Sequence, residues 1–270
     1  MSYNVMVINP VEGHTSGPME ALWYSEPYFE QIYEYLRRLE ATGQLRVIHV
    51  HKEAARRGEI WGNMSADKFH YVVAVGHGND KVYTAYRLEK VFWIDMRNAG
   101  FKPEWAKDTV FLMLSCVTAA KLGPWMHNTM GAWCYVGWDH LFGFFVRVGV
   151  RKGGDWRNSP DMLWLKPIEE AFKRCASQEM APVDVVNYIK RKYAEAIHNP
   201  EVPERWKGVL AHDLKHLKLI GNGTHPPVGR GAVAMRIPVE ALIAATAGAL
   251  IGSAIGMGVR YAEEKRIKVL

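Results

Sequence analysis

Two short apolar runs, each cut off by a reactive side chain, constrain this chain more than any other feature of it. Residues 71–75 read Tyr-Val-Val-Ala-Val and break at Gly76-His77-Gly78-Asn79. Residues 110–114 read Val-Phe-Leu-Met-Leu and break at Ser115-Cys116-Val117-Thr118. Apolar runs of this length, closed by glycine or small polar residues, are the pattern of strands buried on both faces, as in a parallel sheet. Parallel strands joined by helical crossovers bring their carboxyl ends to one edge, and ligands bind along that edge. His77 and Cys116, distant in the chain, are therefore expected to face one crevice.

The flanking sequence supplies the rest of such a sheet. Residues 4–8, 45–50 and 132–138 read as further strands, and strand four is read over 108–114. Phe29, Ile32, Tyr33, Leu36 and Leu39 recur at helical spacing after Ser25, a candidate N-cap with Pro27 in the first turn, and Gly43 ends the run. Residues 54–68 are mixed. Leu88, Val91, Phe92 and Met96 give helix-compatible spacing over 86–98, and 118–130 reads as a helix that Pro124 breaks or kinks. The alternation predicts an α/β three-layer sandwich with a mainly parallel sheet over residues 1–150.

Beyond it the composition changes. Residues 151–160 form a polar, glycine-containing loop, expected beside the crevice, and three helices are read over 151–220 as a helical extension packed on the catalytic body. Residues 221–238 are a Gly/Pro-rich linker. Within 239–260, residues 241–259 are uncharged and would span about 28 Å as a single helix, close to a bilayer's hydrocarbon thickness. Gly248, Gly252 and Gly256 share one face at the spacing that lets membrane helices pack. A C-terminal transmembrane helix capable of self-association is expected, followed by a charged tail over 261–270. The Met1-Ser2-Tyr3-Asn4 start enters a strand-like run without the layout of a signal peptide, which favours a cytoplasmic body tethered to a membrane. The basic residues after the helix, Arg260, Lys265, Arg266 and Lys268, weakly favour a cytoplasmic tail instead, so orientation stays open.

The net charge of +6 is not gathered into a basic run long enough to argue for nucleic acid. Three cysteines, Cys116, Cys134 and Cys175, fit neither a disulfide framework nor a zinc site built on cysteine. His212 and His216 have the i, i+4 spacing of a helical metal pair, but no third ligand is signalled, so no metal and no cofactor are expected.

A thiol becomes a useful nucleophile when a neighbouring imidazole makes it a thiolate. A free cysteine is commonly a small buried hydrophobe and a turn histidine is commonly structural, yet both at adjacent strand ends form a candidate pair. The amides of Gly78 and Cys116 are candidate donors to the oxyanion of a tetrahedral intermediate. Asp139 follows the fifth strand in Gly137-Trp138-Asp139-His140, on the same expected edge.

An apolar strand ending in His-Gly, then one ending in a small residue plus Cys, is similar to the caspase–gingipain–legumain superfamily of cysteine peptidases. Gly76-His77-Gly78 and Ser115-Cys116-Val117-Thr118 look most like its gingipain and bacterial caspase-like branches, and the resemblance covers about residues 1–150. It implies a protein or peptide substrate, with His77 protonating the leaving amine and Cys116 forming the thioester. It further implies Asp139 in the pocket for the side chain preceding the cut, where the plainer reading is a surface Asp capping the next segment; Trp138 is a candidate wall, although an aromatic strand residue is more often core. A carboxylate there would give a preference for Arg or Lys, and cleavage after Arg230 in the linker would then release the body, against the favoured reading of this segment as an ordinary hinge. Two rivals stand beside this reading. An α/β-hydrolase with a cysteine nucleophile would need His212 or His216 as base, and a non-enzymatic caspase-like scaffold would use the fold for membrane assembly.

Overall fold

The computed structural model describes residues 3–11, 20–150, 154–227 and 267–269. In chain order the elements are β1 (Tyr3–Asn9), α1 (Glu20–Glu40), β2 (Leu45–His51), α2 (Arg57–Ala66), β3 (Tyr71–Val75), β4 (His77–Gly78), β5 (Val82–Thr84), β6 (Lys90–Trp93), α3 (Pro103–Ala106), β7 (Val110–Leu114), α4 (Leu122–Met130), β8 (Cys134–Trp138), β9 (Phe145–Arg147), α5 (Met162–Ala176), α6 (Pro182–His198), α7 (Glu204–His216), β10 (Leu217–Gly221) and β11 (Ile267–Val269). The main sheet has six strands in the order β10-β8-β7-β3-β1-β2. All neighbours pair parallel except β10, which lies antiparallel on β8 with Leu217 opposite Trp138.

Period-two alternation divides the core cleanly between the two faces of this sheet. Tyr71, Val73 and Val75 of β3 and Val110, Leu112 and Leu114 of β7 face the layer built by α1, α5, α6 and α7. Val72, Ala74, Phe111 and Met113 face the opposite layer, with Ile60 and Met64 of α2 and Leu122 and Met126 of α4. Every residue of β3, β7 and β8 is buried, which is why these strands read as continuous apolar runs.

Several readings made from the sequence change. The segment after β3 is not helical: β4, β5 and β6 form a three-stranded antiparallel sheet, with a 3₁₀ turn at Tyr86–Leu88 joining β5 to β6 and another at Met96–Ala99 after β6. Val91, Phe92 and Met96 are buried in one core cluster from a strand and a turn, whereas Leu88 is exposed, so their helical spacing does not mark a helix. Ser25 is not an N-cap, because α1 begins at Glu20; its Oγ donates back to the Leu22 carbonyl, 3.0 Å away. Pro124 lies in the first turn of α4, where its missing N–H removes no helical bond, so no kink follows. The extension over 151–220 packs on the body through α5 against α1, but it is not wholly helical, since β10 completes the main sheet. Among the described residues no helix is long and apolar enough to cross a membrane. Residues 241–259, Arg230 and most of the linker lie outside the described residues.

Leu112 sits at the sheet centre with no exposed surface. Leu112→Ala is expected to cost about 2–5 kcal/mol of unfolding free energy in denaturant titration; a cost below about 1 kcal/mol would place it outside a close-packed core.

A candidate active site at the carboxyl edge of the sheet

The last paired residues of β3 and β7 are Val75 and Leu114, joined further by the Gly76 amide donating to the Leu114 carbonyl at 3.1 Å. His77 and Cys116 each lie two residues past that pair, so the register itself carries them to the same edge. Both line one cavity of about 510 Å³. Its floor is the end of the sheet, Val75 and Leu114; α1 contributes Leu22 and Ser25, and the loop after β8 contributes Leu141, Phe142 and Phe144. Gly208, Val209 and His212 of α7 close the remaining side.

The turn after β7 is tight. Val117 has φ of +60°, a strained conformation for a β-branched residue, and its amide donates to the His140 carbonyl at 3.0 Å. That turn holds Cys116 at the cavity wall. Cys116 Sγ contacts the Phe142 carbonyl at 3.8 Å, with the thiol as donor. Burial pushes the Cys116 thiol up, so the resting sulfur is a neutral thiol at neutral pH. The Cys116 amide donates to no other described residue, which leaves it available to a developing oxyanion.

Gly78 is required as glycine for a steric reason. A Cβ there would sit 2.4 Å from Ser115 Oγ, 2.4 Å from Thr118 Cγ2 and 2.9 Å from the Val82 carbonyl oxygen. The Asn79 amide bonds the Val82 carbonyl, so the next pair out, Gly78 with Tyr83, is the non-hydrogen-bonded kind. The Gly78 N–H is therefore directed away from β5.

The two acceptor-side residues expected at this edge do not line the cavity. Trp138 is fully buried, and its Nε1 donates to the Asp213 carbonyl at 3.1 Å, which makes it core. Asp139 is committed to His216 Nδ1 at 2.7 Å and Lys218 Nζ at 3.3 Å, and these partners hold its carboxyl below the usual range despite partial burial. None of the described residues 154–160 reaches the cavity either. The supposed helical metal pair is likewise engaged: the His212 and His216 rings pack against His140 and each other, with His216 on Asp139 and His212 Nε2 donating to the Leu141 carbonyl at 3.0 Å.

Asp213 is the residue the sequence reading missed. It lies on the buried stripe of α7 with Trp206 and Leu210, and a charge on that stripe was the available signal. Its Oδ1 accepts from the Gly143 amide at 3.2 Å, tying α7 to the loop that walls the cavity. Burial pushes its carboxyl up to about 8, offset only partly by the Gly143 amide and the Trp164 indole.

No family model matches the chain, and no curated relative matches it. The six-stranded, mainly parallel sheet with seven α-helices among the described residues is an α/β architecture. Among solved structures, the chain is similar to the complex of Porphyromonas gingivalis RgpB pro- and mature domains, with a TM-score of 0.47 and 10% identity. That similarity covers 83% of this chain and 48% of the other, so the chain spans about half the length of that neighbour.

A folded carboxyl near 8 against an unfolded value of about 3.9 means that the folded state holds its proton more tightly. Stability is then highest below pH 4, falls as pH rises from about 4 to about 8, and levels off above. Asp213→Asn keeps the acceptor for Gly143 but cannot titrate. Its melting temperature is expected to gain on wild type across pH 4–8, then run parallel; a gap independent of pH would contradict the assignment. Gly78→Ala is expected to lower both stability and any Cys116-dependent activity, since the new methyl meets Ser115 and the Val82 backbone. Unchanged thermal stability would show that this turn has room to spare.

Proposed function

We propose that the chain is a cysteine peptidase in which His77 and Cys116 act as a dyad. The observation that carries the reading is that both side chains line one cavity at the shared edge of two neighbouring parallel strands. His77 takes the thiol proton as Cys116 Sγ attacks the scissile carbonyl carbon. The amides of Cys116 and Gly78 receive the oxyanion, and collapse to the thioester expels an amine protonated by His77. Water, deprotonated by His77, then releases the acid and restores the thiol. Resting Sγ meets the Phe142 carbonyl in a long contact, and catalytic hydrogen bonds that are loose in the free enzyme tighten on substrate binding.

The cavity lining supports an apolar side chain as the recognised group. Leu22, Phe142, Phe144 and Val209 surround it, and Leu141, 61% exposed, stands at its rim. With Asp139 already paired, selection of Arg or Lys loses its basis, and with it cleavage after Arg230. Attachment to a membrane through 241–259, self-association of that helix and a cytoplasmic body complete the proposal, resting on sequence alone.

His212 favours one rival, because it lines the same cavity. Its Nε2 carries the proton donated to Leu141, so only Nδ1 could serve as base. A peptide-library cleavage profile separates the readings. Cys116→Ala and His77→Ala are each expected to lower kcat/KM by on the order of a hundredfold or more, with His212→Ala far milder. Loss in His212→Ala with His77→Ala intact would transfer the base role to His212. Identical wild-type and Cys116→Ala profiles would leave the non-enzymatic scaffold.

A further inference from the structure

On the far edge of the sheet, away from the thiol, two histidines of β2 converge on a carboxylate of α1. His49 and His51 are alternate residues of the edge strand and therefore share a face; their rings stack with centroids 4.7 Å apart and planes 10° apart. His49 also stacks on Tyr33, with centroids 4.0 Å apart. Glu30 Oε1 lies 3.4 Å from His49 Nε2 and 3.3 Å from His51 Nε2. Asn9, paired with His51 across β1 and β2, donates from Nδ2 to that same Glu30 oxygen at 2.7 Å. Glu26 Oε1, one helical turn before Glu30, is 3.6 Å from His51 Nε2.

Both Nε2 atoms are shielded from solvent, and neither makes an aligned hydrogen bond among the described residues despite the nearby carboxylate. One ligand atom from each of Glu30, His49 and His51 falls within 4.8 Å of the others. Zinc bonds of about 2.0–2.1 Å arranged tetrahedrally put ligand atoms about 3.3 Å apart. The two nitrogen–oxygen separations match that edge length. Asn9 fixes the carboxylate as an outer partner would, and the near-parallel imidazoles rotate to aim both in-plane lone pairs at one ion.

We propose that His49, His51 and Glu30 form a site for a divalent transition-metal ion of the zinc class, with Asn9 orienting Glu30. Two imidazoles and one carboxylate suit Zn²⁺, Co²⁺ or Ni²⁺, whereas Mg²⁺ and Ca²⁺ require mostly oxygen donors. The bound ion ties α1 to the edge strand. Leu22 and Ser25, on the turns of α1 just before Glu30, line the cavity, so the ion steadies one of its walls. The site does not depend on the peptidase reading. It departs from the sequence expectation of no metal, which considered only the His212–His216 spacing; the His-Val-His of β2 was the signal passed over.

The test is titration of the chelator-treated full chain with Zn²⁺ by calorimetry and with Co²⁺ by visible absorption. One ion per chain is expected, with the intense visible bands of low-coordinate Co²⁺ and a melting temperature that rises with Zn²⁺. His49→Ala, His51→Ala and Glu30→Gln are each expected to weaken binding by on the order of tenfold or more, Asn9→Ala by about tenfold. His212→Ala is expected to leave it unchanged. Absence of saturable binding by folded wild type would overturn the proposal. So would binding unaffected by His49→Ala and His51→Ala, or lost in His212→Ala.

Discussion

The parallel register of β3 on β7 is the constraint from which the site follows. Backbone hydrogen bonds set it, and the alternation of Val73, Val75, Leu112 and Leu114 toward one layer locks it. A slip of one residue would exchange the two faces of a strand that is buried on both, against helices already packed. Because the register is fixed, so is the relation of the two residues that overrun it. No long-range contact between His77 and Cys116 is needed to bring them together; the sheet does it before either side chain takes part.

That economy leaves the chemistry to the surroundings of the sulfur. An apolar wall raises the thiol and keeps it protonated, with its S–H on Phe142. Asp213, buried behind the same loop, would oppose a thiolate if it were ionised. Held neutral up to about 8, it spares the sulfur at neutral pH and serves by bonding the Gly143 amide. The cavity wall is thus supported by a group whose charge the fold suppresses. Strain at Val117 is the local cost of turning the chain sharply enough to present Cys116.

Much of this was legible in the amino-acid order, and the misses have physical causes. Strands β3 and β7 announced themselves because full burial on both faces leaves no polar residue to blur the run. The 86–98 segment misled because Leu88, Val91, Phe92 and Met96 keep helical spacing while belonging to a turn, a strand and another turn; packing decided, and spacing was coincidental. Asp139 misled differently. Its position after β8 was read correctly, but β10, unforeseen as a strand, brings His216 and Lys218 alongside and satisfies the carboxylate. An antiparallel edge strand following α7 leaves little trace in a five-residue segment that is mostly half-buried.

The most direct measurement of the central claim is the rate of Cys116 alkylation by iodoacetamide against pH, in wild type and in His77→Ala. A thiol that shares its proton with His77 should react faster in wild type near neutrality, with the inflection of the rate profile moved below that of His77→Ala. Superimposed profiles would mean that the imidazole and the sulfur, though carried to one edge by one register, do not act on each other.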